Sequence, residues 1–466
     1  MSSYPQQSWP FRALDTLRVS QQRDWLTHCY VRSGLDGVLL DAQRSVVIIA
    51  QPGSGLSTSM TLLQLQNPLK SPMNAEPISE PPSFLTFPYP PERWPALGHT
   101  SSQSSTHFEL IMGAFADKCI ETLKEQPEQL ALIPLISHEF LIWLVRRYLP
   151  QRRGTVWLHT LEQHDPDLAL RQVITQARNN ELDQLYTDSD PQSIKGQIEE
   201  CLDLAQCLGW QGVYAIADIS LIDWINRTAD ERTALRDGMH DLLQQLTQLQ
   251  RPRFGFKIGV PSVLLSQEDA QSLLRDRAEI ITYAWSEDKL WQIADRMLVA
   301  ASGQSMSLQE LLPPGSGDEL YADVYEIWGQ MCPAAMAALA RYAWEQHTLD
   351  IPQSQKVRAI RMKLYSNHAP LRRDPQLNQP IVWRGAKPLT LNQAQLRLFD
   401  FLWHQRGRFV QTEELIDLNI ATSDDHLAKL VSRIRQVIEP LANAKMPVYL
   451  QRTPSQGIWL ENCAFR

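Results

Sequence analysis

The residues Ala50-Gln-Pro-Gly-Ser-Gly-Leu-Ser-Thr58 follow a short β-branched run, Ser45-Val-Val-Ile-Ile-Ala50. A buried strand, a glycine turn and a helix start, in that order, aim backbone N–H groups at an anion. Gly53, Ser54 and Gly55 supply the turn, and Ser57 and Thr58 supply hydroxyls where the helix opens. In a complete phosphate loop a lysine just after the last glycine reaches the terminal phosphates. The hydroxyl after it holds magnesium. Here the lysine position is Leu56.

A second acid is needed near the magnesium shell, at the end of another buried strand. The run Gly212-Val-Tyr-Ala-Ile-Ala-Asp218 provides it in Asp218. The neighbouring glutamate that positions an attacking water is replaced by Ile219; Asp223 lies further along. Ser57 and Asp218 are therefore the magnesium contacts expected if a nucleotide binds, and no catalytic residue is assigned.

The third set lies near the C-terminus. Ser423-Asp424-Asp425 reads as a helix N-cap with two acids over the positive end of the helix dipole. In the helix behind it Leu427, Leu430, Val431, Ile434 and Ile438 fall on one stripe. Lys429, Ser432, Arg433 and Gln436 fall on the other. Such a helix anchors its back in a core and presents donors together, as reading a duplex groove requires. Val448-Tyr-Leu450 and Gly457-Ile-Trp-Leu460 read as a terminal hairpin carrying Arg452.

Other combinations lack a chemical context. His138-Glu139 has Ile142 where a zinc helix needs its second histidine. His159 and His164, near Asp165 and Asp167, read as surface residues. The six cysteines show no Cys-x-x-Cys spacing. Scattered cysteines suit a reducing cytosol, and Met1 to Pro10 has neither the basic nor the apolar region of a signal peptide. A cytoplasmic protein with no membrane partner is expected.

A chain of 466 residues needs more than one core. Hydrophobic residues are 43% and charged residues 21%, ordinary for globular domains. The net charge of -8 excludes a polybasic coat, so any nucleic-acid surface must be local. Residues 386–466 carry ten Lys and Arg against eight Asp and Glu, a small basic excess. Helix-like spacing covers Phe11 to Tyr30. Strands at 45–50, 212–217, 254–260 and 279–283 alternate with helical patterns, which implies an α/β sheet. The stretch 71–105 is rich in Pro and Ser around a strand at 83–87. From 286 to 347 the pattern is helical. Residues 350–385, basic and Pro-bearing, read as an irregular linker, and 386–466 as a separable domain.

On the Ala50–Thr58 loop, the Asp218 strand, the Phe256-Lys257 strand and Trp285-Ser286-Glu287, the first 350 residues resemble the AAA+/STAND class of P-loop NTPases. That resemblance implies an α/β P-loop NTPase domain over 1–285 and a helical lid over 286–349. It also implies a Pro-Arg pair in the lid that touches the γ-phosphate; here the segment reads Cys332-Pro333-Ala334. Leu56, Ile219 and Ala334 all fall on groups that stabilise a transferring phosphate, which points to a pseudo-ATPase with ATP or another nucleotide and magnesium as its ligands.

The C-terminal segment resembles the OmpR/PhoB-type winged helix. Leu389-Thr-Leu391, Arg408-Phe-Val410, Glu413-Glu-Leu415, Ser432-Arg-Ile-Arg435 and Gly457 carry the likeness. It implies an α+β winged helix-turn-helix domain over 386–466 whose third helix enters the major groove. Lys429, Ser432, Arg433 and Gln436 carry over to that helix. Pro454-Ser455 replaces a common basic position, leaving Arg452 as the nearest wing cation. The expected function is a DNA-binding transcriptional regulator, acting on double-stranded DNA alone or as a homo- or hetero-oligomer. The alternatives are an active ATPase with a lysine supplied from elsewhere, and a non-catalytic subunit that docks a protein through its winged helix.

Overall fold

The computed structural model describes residues 9, 29–33, 38–39, 45–51, 53–64, 84–94, 106–163, 168–179, 182, 192–219, 229–274, 277–312, 315–347, 349–374, 381–441, 447–453 and 457–464. Most of the helix expected over Phe11–Tyr30, most of 71–105, and Asp223 and Pro454-Ser455 lie outside them. The chain divides into two compact units, 32–284 and 1–31 with 285–466.

The first unit is α/β. In chain order it holds β1 (Val46–Ala50), α1 (Leu56–Gln64), β2 (Phe84–Pro88), α2 (His107–Glu125), α3 (Leu135–Tyr148), α4 (Gln151–Gln163), α5 (Leu168–Arg178), α6 (Gln192–Cys207), β3 (Gly212–Asp218), α7 (Ala229–Leu249), β4 (Phe254–Pro261), α8 (Gln267–Leu274) and β5 (Glu279–Thr282). The strands form one parallel sheet in the order β2-β3-β4-β1-β5. Every residue of β1, β3 and β4 is buried, as a parallel sheet covered on both faces requires. That is why these strands are continuous apolar runs with no alternation.

His107, at the start of α2, is fully buried. Its Nδ1 meets the Tyr89 hydroxyl at 2.7 Å and its Nε2 the Gly238 carbonyl at 3.2 Å. A carbonyl can only accept, so Nε2 carries the proton and Nδ1 accepts from Tyr89. Burial holds this imidazole below its ordinary range, against the opposing pull of Asp241 and the Gly238 carbonyl. A lowered folded value means that the stability His107 contributes is present above the unfolded value, about 6.5. It is lost as pH falls through the lower folded value. The urea midpoint of the protein should therefore drop as pH falls below about 6.5. His107→Gln, which cannot titrate, should flatten that drop; an unchanged slope would assign it to other groups.

The second unit opens with a helical bundle: α9 (Glu287–Ser302), α10 (Leu308–Leu311), α11 (Gly317–Trp328), α12 (Pro333–His347) and α13 (Gln353–His368). It continues with β6 (Leu371–Asp374), β7 (Ile381–Arg384), β8 (Lys387–Leu389), α14 (Gln393–His404), α15 (Thr412–Asp417), α16 (Asp424–Ile438), β9 (Leu450–Thr453) and β10 (Gly457–Leu460). β6-β7-β8 is an antiparallel sheet, and β9 pairs with β10 antiparallel. One apolar cluster runs from Leu290 to Leu460 through both the bundle and the C-terminal segment.

This corrects the expected linker over 350–385. Those residues form α13, β6 and β7, and the expected boundary at 386 falls in the turn between β7 and β8. That turn is seated on the last turn of α11. Gly385 has φ +60, and a Cβ there would lie 2.7 Å from the Ile327 carbonyl oxygen, so only glycine fits. Next to it the Ala386 N–H donates to the Glu326 carbonyl at 3.0 Å. Among the described residues no helix is long and apolar enough to cross a membrane.

Candidate nucleic-acid interface and phosphate loop

In open parallel sheets ligands bind beyond the carboxyl ends of the strands, where successive connections depart in opposite directions. β1 is such a point: the chain leaves it toward β2 on one side and later crosses it, from β4 to β5. The turn after β1 has Gly53 and Gly55 at φ 80, a conformation that favours glycine. The Ser54 N–H closes the turn onto the Gln51 carbonyl at 3.2 Å, and Ser54 is buried. Helix α1 begins at Leu56, so the N–H groups of Leu56, Ser57 and Thr58 face outward from its first turn. Ser57 and Thr58 are half-buried.

Asp218 and Ile48 flank Gly259 in register, which brings the acid to the same sheet edge as the turn. Leu56 is 2% exposed and packs down on that glycine. A Cβ at Gly259 would lie 2.9 Å from Leu56 Cδ2 and 3.3 Å from Asp218 Oδ1. An isobutyl group thus fills the space beside Asp218 where a lysine would bring charge. Ile219 is 1% exposed and belongs to the core.

Lys257, the lysine of the neighbouring strand, does not take the missing place. It pairs with Val46, four residues before Ala50 and so roughly 13 Å back along the strand from the turn. Its Nζ donates to the Val38 carbonyl at 3.2 Å and stands 4.8 Å from the Tyr214 ring centre. The side chains of the turn, Gly53 to Thr58, supply no cation. Among the described residues no group of three or more His, Cys, Asp or Glu is placed to hold a metal ion.

In the second unit, α14, α15 and α16 pack around the cluster, and the β9–β10 hairpin joins them by the pairing of Val410 with Ile458. Ser423 caps α16 by accepting from the His426 N–H at 3.1 Å. The cap of α15 is Gln411, and Thr412 is its first helical residue. Leu427, Leu430, Val431, Ile434 and Ile438 are all buried. Lys429, Ser432, Arg433 and Gln436 are exposed on the other side, so the stripe expected from spacing is brought together. Arg452 reaches back from the hairpin to pair with Asp424. It braces the hairpin against the helix start instead of projecting alone.

Three groups that hold this surface escaped the sequence reading. Arg435 donates from α16 to the Leu450 carbonyl at 3.0 Å. Arg384 donates to the Ile438 carbonyl at 2.7 Å, closing the C-terminal end of α16, and to Glu326 at 2.6 Å. Glu439 is buried and accepts from the N–H groups of Val448, Tyr449 and Leu450 at 2.6, 3.0 and 2.8 Å. Burial pushes its carboxyl above the usual range, against the pull of those donors and Arg435. Only the acid directly after the last apolar stripe residue, Ile438-Glu439, hinted at this clasp. Glu439→Ala strands three buried donors and should cost about 3 kcal/mol or more. A urea midpoint within error of the wild type would show that water satisfies them.

No protein-family model, curated protein or solved structure matches this chain.

Proposed function

We propose that this protein is a DNA-binding regulator, a transcriptional one in the simplest form of the reading. Its C-terminal segment acts as an OmpR/PhoB-type winged helix, and its α/β unit acts as a P-loop pseudo-ATPase. The observation that carries the reading is α16, whose buried apolar stripe turns Lys429, Ser432, Arg433 and Gln436 outward as one row. The order of three helices and a hairpin, preceded by the β6-β7-β8 sheet, supports the winged-helix assignment. Arg433 and Lys429 carry binding, one reading a base and the other holding a phosphate. Arg452, tied to Asp424, contributes to the hairpin more than to the duplex.

The glycine turn of Gly53, Ser54 and Gly55, with Leu56, Ser57 and Thr58 behind it, supports a nucleotide site of reduced power. Backbone N–H groups remain to cradle phosphates. Ser57 and Asp218 are the groups that would meet magnesium with a bound nucleotide, and magnesium would offset the phosphate charge. With Leu56 in the lysine place, charge developing on a transferring phosphate is not met by a cation. The loss of one such group slows catalysis by about 10²–10³-fold.

Two measurements on the intact protein separate the rivals. Phosphate release from magnesium-ATP should be absent; turnover near 1 per second, ordinary for phosphoryl transfer, would make this an active ATPase. Leu56→Lys should tighten nucleotide binding more than it raises rate, because Ile219 still occupies the water-positioning place. Binding to duplex DNA should weaken steeply as salt rises. Absence of such binding would favour a subunit that docks a protein.

A further inference from the structure

His426 stands on α16 three residues before Lys429 and seven before Arg433, so all three share one side of the helix. The residue is exposed. Its Nδ1 lies 3.1 Å from the backbone nitrogen of Thr422 and 3.2 Å from that residue's hydroxyl. A backbone N–H can only donate, so Nδ1 must accept and the ring proton sits on Nε2. The ring is thus fixed in place and in tautomer. Nδ1 is occupied against the chain, which leaves the Nε2 N–H as the donor of this exposed ring. Lys and Arg are donors with no acceptor. The N-terminal half of this helix therefore offers three donor groups on one flank.

We infer that His426 is a base-reading residue that donates from Nε2 to a guanine in the major groove. This rests on the reading of α16 as the DNA-contacting helix. Guanine is the base whose major-groove edge carries two acceptors, N7 and O6. In helix-turn-helix docking the first residues of the recognition helix are the ones that reach base edges, and His426 lies in that first turn. From His426 to Arg433 the helix rises about 10 Å. At 3.4 Å per base pair this spans about three base pairs. The preferred site therefore has two guanines about three base pairs apart, one read by Arg433 and one by His426.

The test selects sites from a random duplex pool with the intact wild type, His426→Ala, His426→Gln and the double variant Lys429→Ala/Arg433→Ala. Wild type should select both guanines. His426→Ala should lose preference at one of them by about five- to tenfold and keep the other. Its salt dependence should be unchanged, because a contact to a base edge displaces no counterion from a phosphate. His426→Gln should turn the same position toward adenine, the base that glutamine reads. Placing 7-deazaguanine at that position should weaken wild type by the same factor and His426→Ala not at all. Unchanged base preference in both His426 variants, with binding lost in the double variant, overturns this inference and leaves the DNA reading standing. No salt-dependent binding by wild type overturns both.

Discussion

A fragment spanning 386–466 will fail to fold cooperatively, while 285–466 will unfold in one transition. The shorter cut removes β6 and β7 and with them Arg384, whose guanidinium joins Glu326 of α11 to the end of α16. It also strips the Ala369 carbonyl from the buried Tyr449 hydroxyl, a contact of 2.7 Å, and separates Leu371 from the chain end, where it pairs with Asn462 and Ala464. Leu371 and Val382, fully buried, leave the core. Each such side chain is worth about 1.5–3 kcal/mol. A fragment of about 80 residues has roughly 4–12 kcal/mol in all. The losses consume most of that. Circular dichroism during urea titration, with amide dispersion by NMR, decides the matter. A sharp transition in 386–466 at the midpoint of 285–466 would restore the expected boundary.

The linker was misread for a physical reason. Helix α13 buries only Ile360, Leu364 and Tyr365 and is basic around much of its surface, so its local pattern is weak. What holds it is remote in sequence. Arg361 pairs with the buried Asp323 of α11, which also accepts from the Tyr365 hydroxyl at 2.8 Å, and Lys363 pairs with Glu345 of α12. Contacts across 18 to 42 residues leave no periodic trace. By contrast β7, Ile381-Val-Trp-Arg384 with Gly385 behind it, did carry a hairpin signal. The basic and Pro-bearing surroundings masked it.

The elements that rest on local burial were legible. β1, β3 and β4 stand out as apolar runs because both faces of the sheet are covered. α16 was legible because its five buried residues leave polar ones on the opposite side. Leu56 was visible as a departure, though its place against Gly259 was not. That place depends on a strand some 200 residues later, brought beside β1 by the sheet order. The brace between Arg452 and Asp424 was hidden for the same reason: both charges read as solvent-facing until the hairpin folds back on the helix.

Replacing Lys429 and Arg433 together by alanine should remove most DNA binding and leave the fold intact. Both side chains are exposed, so truncation leaves no buried group without a partner. Loss of a guanine-reading arginine weakens binding by about 1–3 kcal/mol. Loss of a phosphate-holding lysine lowers the salt slope by about one. The combined effect on affinity is at least tenfold, larger than expected from any other exposed pair on this segment. Arg452→Ala should behave differently. It frees Asp424 and loosens the hairpin, so stability should fall slightly while the salt slope changes little.

The most direct measurement is fluorescence anisotropy of a labelled duplex pool with the intact protein, from about 50 to 200 mM salt. Wild type should bind with an affinity that falls steeply across that range. Lys429→Ala/Arg433→Ala should bind at least about tenfold more weakly with a shallower slope, at an unchanged urea midpoint. Equal affinity and equal slope in the two proteins would contradict the assignment of α16 as the DNA-reading helix.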